Sequence, residues 1–118
     1  MQIGDTFYWK DGGHLWVIIS DPNRTGDIRI AVNVTRDLFR AGRECELQPG
    51  DHVWIKAKSY VSFGDAMKIS AKEYSNLEKN IASGMICQHV AVTAAILKKI
   101  IYAAKKSKAL SPDYLQYL

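Results

Sequence analysis

A row of cationic and aromatic side chains near the middle of the chain is suited to chemistry with an anionic ligand. His52, Trp54, Lys56 and Lys58 alternate with apolar residues, and on a β-strand that alternation places all four on one face. Lysines attract phosphates and an indole ring stacks on bases, which is how many proteins hold single-stranded nucleic acid. The alternative is that Trp54 packs beneath a helix and leaves only solvated lysines.

The histidines and cysteines do not have the spacing of a metal site. No zinc-type pair of pairs is formed by His14, His52, His89, Cys45 and Cys87. The chain also lacks a glycine-rich phosphate loop, a nucleophile elbow and a paired-histidine motif with an intervening acid. We therefore expect no metal and no other cofactor, and nucleotide hydrolysis, α/β-hydrolase and metalloprotease functions have no support.

The first part of the chain has the patterns of β-strands that would position such side chains. Strands are predicted at residues 6–9, 15–19 and 28–35. The second is a continuous apolar run, which is typical of a central strand buried on both faces. The third alternates between apolar and other residues, so that Arg29, Asn33 and Thr35 share one face.

A hairpin is predicted after these strands. Pro49 and Gly50 occupy the two central positions of a type II turn. The turn would join a strand at 44–47 to a strand at 52–58, and a last strand at 67–69 would close the sheet. The row from His52 to Lys58 lies on this hairpin.

Helices are predicted in the rest of the chain. Ser70 and Glu73 have the spacing of a capping box, and the helix that follows would end at Gly84. A second helix is predicted from about 88 to 106, and Ser111-Pro112 would open a last short turn. Five or six strands followed by two or three helices indicate a mainly β fold, either a small antiparallel barrel or a strongly curled sheet with helices packed on it.

Length and charge limit the organisation of the protein. A chain of 118 residues forms one domain, here a β part at 1–70 and a helical part at 71–118. The net charge of +4 lies in the second part, because Lys and Arg balance Asp and Glu, nine against nine, in 1–70 but exceed them by seven to three in 71–118. That excess favours an acidic partner or a nucleic acid.

Cysteine use and hydropathy bear on the compartment. Two cysteines are too few and too far apart for a disulfide framework, and no signal peptide precedes the first polar turn. The apolar run at 90–97 is far shorter than the roughly 20 residues of a membrane-spanning helix. We expect a cytoplasmic protein that does not enter the membrane.

Residues 3–36 carry a family resemblance. Gly4-Asp5, an aromatic strand, a glycine turn, the apolar strand 14–20 and the strand ending in Thr35 follow one another. This order resembles the start of the MazF/PemK/Kid toxins of bacterial toxin–antitoxin pairs. In that family the first apolar strand follows Arg-Pro and a later one ends in Pro-x-Thr-Ser. Here His14-Leu15 and Asn33-Val34-Thr35-Arg36 stand in those places.

The resemblance implies a small SH3-like barrel, usually a homodimer, that cuts single-stranded mRNA without a metal and is silenced by a disordered acidic antitoxin. Thr35 corresponds to the family's catalytic threonine, and we expect it to position the phosphate. His14 replaces the catalytic arginine, and an imidazole can serve as general acid or base near neutral pH. The candidate RNA contacts are Arg29, Asn33, Arg36, His52, Trp54, Lys56 and Lys58.

Other interpretations fit the same residues. His14 is also an ordinary polar residue at a turn, and Thr35 an ordinary β-branched residue at a strand end. A non-catalytic SH3-like module that binds RNA or protein is one alternative function. A poison of a protein target such as DNA gyrase, as in CcdB-type relatives of this fold, is another.

Overall fold

One six-stranded sheet forms the centre of the protein, and the computed structural model describes all 118 residues. Its strands are β1 (Thr6–Trp9), β2 (Leu15–Ile18), β3 (Arg29–Thr35), β4 (Glu46–Leu47), β5 (Ser59–Ile69) and β6 (Ile86–His89). The helices are α1 (Leu38–Ala41), α2 (Ala71–Ala82) and α3 (Ala94–Lys106), followed by a 3₁₀ helix (Pro112–Tyr117). The strand order is β4-β5-β3-β2-β1-β6, and every neighbouring pair is antiparallel.

The sheet is open, so the predicted barrel is wrong. Its two edges are β4 and β6, which do not pair with each other. β4 contributes only two residues, paired with the start of β5. A small barrel closes by pairing its edge strands, and the segment expected to supply a full strand here, residues 52–58, is not a strand.

The predicted hairpin is also wrong, because residues 48–55 bond to one another. The amide of Asp51 donates to the carbonyl of Gln48 at 3.0 Å, and that of Ile55 donates to the carbonyl of His52 at 2.9 Å. The Asp51 carboxylate accepts from the Gln48 amide at 2.8 Å, and the His52 ring accepts from the Trp54 amide at 3.0 Å. Amides used in local turns cannot join a strand ladder. β4 pairs instead with Ser59 and Tyr60, and the strand expected at 67–69 is the end of β5, paired with β3.

Two apolar clusters cover the two faces of the sheet, as alternation along β3 requires. Ile30 and Val32 belong to the larger cluster, in which Ile100 and Ala104 of α3 are buried. Ala31 of the same strand belongs to the smaller cluster with Tyr74 and Leu77 of α2. The helices α2 and α3 therefore pack on opposite faces, and the sheet is held between them.

The capping box of α2 is confirmed. The Ser70 hydroxyl accepts from the Glu73 amide at 3.1 Å, and the Glu73 carboxylate accepts from the Ser70 amide at 3.2 Å. α3, in contrast, begins at Ala94 after the N-cap Thr93, six residues later than predicted. The preceding residues form β6, which pairs with β1 and covers amides that β1 would otherwise expose at the edge. None of the helices is both long and apolar enough to span a membrane.

Candidate functional site

A cleft of about 520 Å³ opens at the end of the sheet where β2 begins, β3 ends and β5 begins. It is lined by Gly13, His14, Val34, Thr35, Arg36, Asp37, Trp54 and Ser59, of which only two are hydrophobic. Its volume lies in the range of small-ligand sites. A lining that is mostly polar suits part of a charged ligand better than an apolar molecule.

Strand register explains why His14 and Thr35 meet in this cleft. Leu15 of β2 pairs with Val34 of β3, so His14 and Thr35 are the next residues outward on the two strands. Gly13, immediately before His14, has φ +119°, a backbone conformation in which a residue with a side chain would be strained. The turn before β2 therefore depends on glycine to bring His14 to the cleft.

The imidazole of His14 is half-buried and makes no hydrogen bond within the chain, whereas the rings of His52 and His89 are both bonded. Asp65 on β5 is close enough to His14 for the imidazole to influence its carboxylate. Its carboxylate accepts from Arg40 at 2.8 and 3.1 Å and from the Ser62 hydroxyl at 2.6 Å. These hydrogen bonds hold the pKa of Asp65 below its usual range, with a smaller contribution from His14. The His14 ring is therefore free to bond a ligand in the cleft.

Thr35 and Arg36 provide hydrogen-bond donors at the end of β3. The Thr35 hydroxyl oxygen accepts from the Asp37 amide at 3.1 Å, which leaves the hydroxyl hydrogen available to a ligand. Arg36 follows the last residue of the strand, is exposed, and lies in no ion pair of the chain. An unpaired guanidinium next to a hydroxyl donor is suited to a phosphate.

Trp54 forms the aromatic wall of the cleft. Its ring lies 4.8 Å from that of Tyr8, tilted by 39°, and 6.0 Å from that of His89 in an edge-on arrangement. Trp54 also packs against the larger apolar cluster and is half-buried. Trp54 therefore packs inward, as in the structural interpretation, and also borders the cleft, where the stacking interpretation needs it.

Arg29 and Asn33 are buried outside the cleft lining. The Arg29 guanidinium lies 3.5 Å from the Tyr74 ring, pairs with Asp27 at 2.9 Å, and donates to the Met1 carbonyl at 2.9 Å. These contacts hold α2 and the N-terminus against β3. Asn33 is 2% exposed, and its Oδ1 atom has no hydrogen-bond partner in the chain.

The row expected at residues 52–58 does not form, because this segment is not a strand. His52 is buried, whereas Lys56 and Lys58 are exposed. Lys58 pairs with Glu46 at 3.5 Å. Of the four residues in the row, only Trp54 lines the cleft.

Four cleft residues were not predicted as site residues, namely Gly13, Val34, Asp37 and Ser59. Val34 directly precedes the predicted Thr35. Gly13 and Asp37 are sequence neighbours of His14 and Arg36, so adjacency pointed to them. Ser59 begins β5, and locating it required knowing that β5 starts there.

No family model and no curated protein matches this chain.

Proposed function

We propose that the protein binds single-stranded RNA in this cleft and cleaves it without a metal ion. The observation that carries the proposal is the presence of His14, Thr35, Arg36 and Trp54 in one polar cleft. His14 offers a proton acceptor, Thr35 and Arg36 offer hydrogen-bond donors to a phosphate, and Trp54 offers a surface for stacking a base. The resemblance of residues 3–36 to the MazF/PemK/Kid toxins supports the same reaction, and we place it in the cytoplasm, where mRNA is translated.

The reaction follows from the chemistry of ribose. His14 takes the proton of a 2′-hydroxyl, and the freed oxygen forms a bond to the adjacent phosphorus as the bond from phosphorus to the 5′-oxygen breaks. The leaving oxygen takes a proton from solvent at the mouth of the cleft. Thr35 and Arg36 donate to the phosphate oxygens and stabilise the charge that develops there. The products are a 2′,3′-cyclic phosphate and a 5′-hydroxyl end.

The test is incubation of the purified protein with a single-stranded RNA in excess EDTA, followed by analysis of the ends. We expect fragments ending in cyclic phosphate, and we expect His14→Ala to slow their formation by at least about a hundredfold, the usual worth of a general base. Asp11→Ala is the matched control, because Asp11 is exposed on the turn before His14 and lies outside the cleft. Intact RNA, or fragments that form only with an added metal, would refute the proposal.

Binding without cleavage is the second candidate, and the free ring of His14 favours it. A general base is usually held in place by a hydrogen bond to a third group, and His14 has none. In that case RNA would bind and remain intact. Trp54→Ala would then weaken binding about tenfold, the usual effect of losing one stacked base, and His14→Ala would leave RNA intact as wild type does.

A further inference from the structure

His52 does not line the cleft, yet it fixes the segment that carries Trp54 there. Its side chain is buried, and its ring connects two parts of the chain. Nδ1 accepts from the amide of Trp54 at 3.0 Å, and Nε2 lies 2.5 Å from the carbonyl of Val90, which follows β6. The ring is thus the link between the turn segment 48–58 and the sheet edge.

These two bonds define the tautomer. A carbonyl only accepts, so Nε2 carries the hydrogen, and an amide only donates, so Nδ1 must be bare. His52 is therefore a neutral imidazole. Protonation would place a second hydrogen on Nδ1, directly opposite the Trp54 amide, and would break that bond.

The surroundings of His52 favour the neutral ring. Burial lowers the pKa of His52, the Val90 carbonyl opposes this, and the nearby ring of His89 lowers it further. Two other titratable groups lie near this segment. Tyr8 of β1 packs on Trp54 and His89, and the Asp51 carboxylate accepts a hydrogen bond from the Gln48 amide. No carboxylate pairs with the ring.

We propose that neutral His52 is a positioning residue that holds Trp54 at the cleft for stacking of a base, and that its protonation releases Trp54. The inference rests on the proposed binding of RNA in the cleft. It predicts that acid weakens RNA binding. The opposite sign is expected from charge alone, because histidines that gain a proton attract phosphates more strongly.

The test measures binding of a 2′-O-methyl RNA oligonucleotide, which lacks the 2′-hydroxyl nucleophile and cannot be cut by the proposed reaction. Affinity is measured from pH 8 to pH 5 for wild type, His52→Asn and His52→Gln. The Asn amide oxygen replaces the Nδ1 acceptor, whereas the Gln amide nitrogen replaces the Nε2 donor. Circular dichroism and thermal unfolding show whether each variant is folded at each pH.

We expect wild type to lose affinity as the pH falls through the lowered pKa of His52, by up to about tenfold, as when one stacked base is lost. His52→Asn keeps the affinity measured at pH 8 and shows no such loss, because an amide does not titrate. His52→Gln binds about tenfold more weakly at both pH values. If His52 served stability alone, the affinity of each variant would follow its unfolding temperature, and two equally stable variants would bind equally well.

The outcomes separate the inference from the proposed function. Wild type that fails to bind the oligonucleotide at pH 8 overturns the proposed function itself. If wild type binds, equal affinities of His52→Asn and His52→Gln overturn the inference. Binding that tightens steadily as the pH falls overturns it too.

Discussion

At the scale of single residues, the cleft combines groups that lie far apart in the sequence. His14 and Thr35 become neighbours through the pairing of β2 with β3, and Arg36 reaches the cleft because β3 ends one residue before it. Trp54 arrives from a turn segment held by His52. His14 and Thr35 were expected at one site because of the family resemblance of residues 3–36, and the pairing of β2 with β3 brings them together. A contact from a turn cannot be predicted from the sequence, since it depends on the conformation of the whole segment.

Arg36 is expected to bind a phosphate. Arg36→Gln should weaken binding of single-stranded RNA about tenfold to a hundredfold at low salt, the usual contribution of one hydrogen bond to a charged group. The slope of log affinity against log salt should become shallower by about 0.7, which corresponds to one phosphate. The measurement is fluorescence anisotropy with a labelled 2′-O-methyl oligonucleotide at several salt concentrations.

Lys99→Gln is the charge-matched control, since Lys99 is exposed on α3 and outside the cleft. Equal changes in affinity and salt slope for the two variants would mean that RNA senses only the net charge.

At the scale of elements, the sequence was most informative where local chemistry decides the structure. β1 and β2 follow from short aromatic and apolar runs, β3 from alternation, and the capping box of α2 from the Ser70–Glu73 spacing. The segment 52–58 alternates equally well, but the His52 ring accepts from its Trp54 amide and holds it in a turn. The Asp51 carboxylate binds the Gln48 amide in the turn just before it. β6 was not predicted, because the periodicity of four residues just before a helix fits a strand and an extension of the helix equally well. Its pairing with β1 decides for the strand.

The capping box gives a stability prediction for α2. Ser70→Ala removes the acceptor for the Glu73 amide and should lower the free energy of unfolding by about 1 kcal/mol. Ser75→Ala is the control within the same helix, because Ser75 is exposed and alanine is the better helix former there. Urea denaturation measures both, and an equal loss for the two would show that the cap contributes nothing.

The pairing of Asp65 with Arg40 gives a pH prediction for the contact between α1 and β5. Asp65→Asn should lower the unfolding free energy by about 1 kcal/mol at pH 7, the scale of a partly exposed bidentate pair. Because the pKa of Asp65 is lowered in the folded state, its contribution is present above the pKa of the unfolded chain. It disappears as the pH falls through the folded value.

Urea denaturation from pH 7 down to pH 3 checks this dependence. Wild type and Asp65→Asn should converge in stability at the acid end. A difference that stays constant over the whole range would show that the carboxylate charge of Asp65 is not what stabilises the contact.

At the scale of the whole molecule, an open sheet lies between α2 and α3 and has its cleft at one end of the central strands. The surplus of positive charge belongs to residues 71–118. The cleft has no lining residue beyond Ser59, so it is built entirely from the charge-balanced part at 1–70. Net charge therefore says little about where RNA would bind. The lining of the cleft is the better guide.

A DNA strand that contains a single ribonucleotide, incubated with the protein in EDTA, is the most direct test of the proposed cleavage. Only that nucleotide has a 2′-hydroxyl. We predict one cut, at the phosphate on its 3′ side, with a cyclic phosphate on the upstream fragment. With His14→Ala this cut should be at least about a hundredfold slower, and an all-DNA strand should not be cut. Two results would contradict the proposed cleavage. One is a mixed strand that stays intact while an all-RNA strand is cut to 3′-hydroxyl ends, and the other is any cut at a deoxynucleotide.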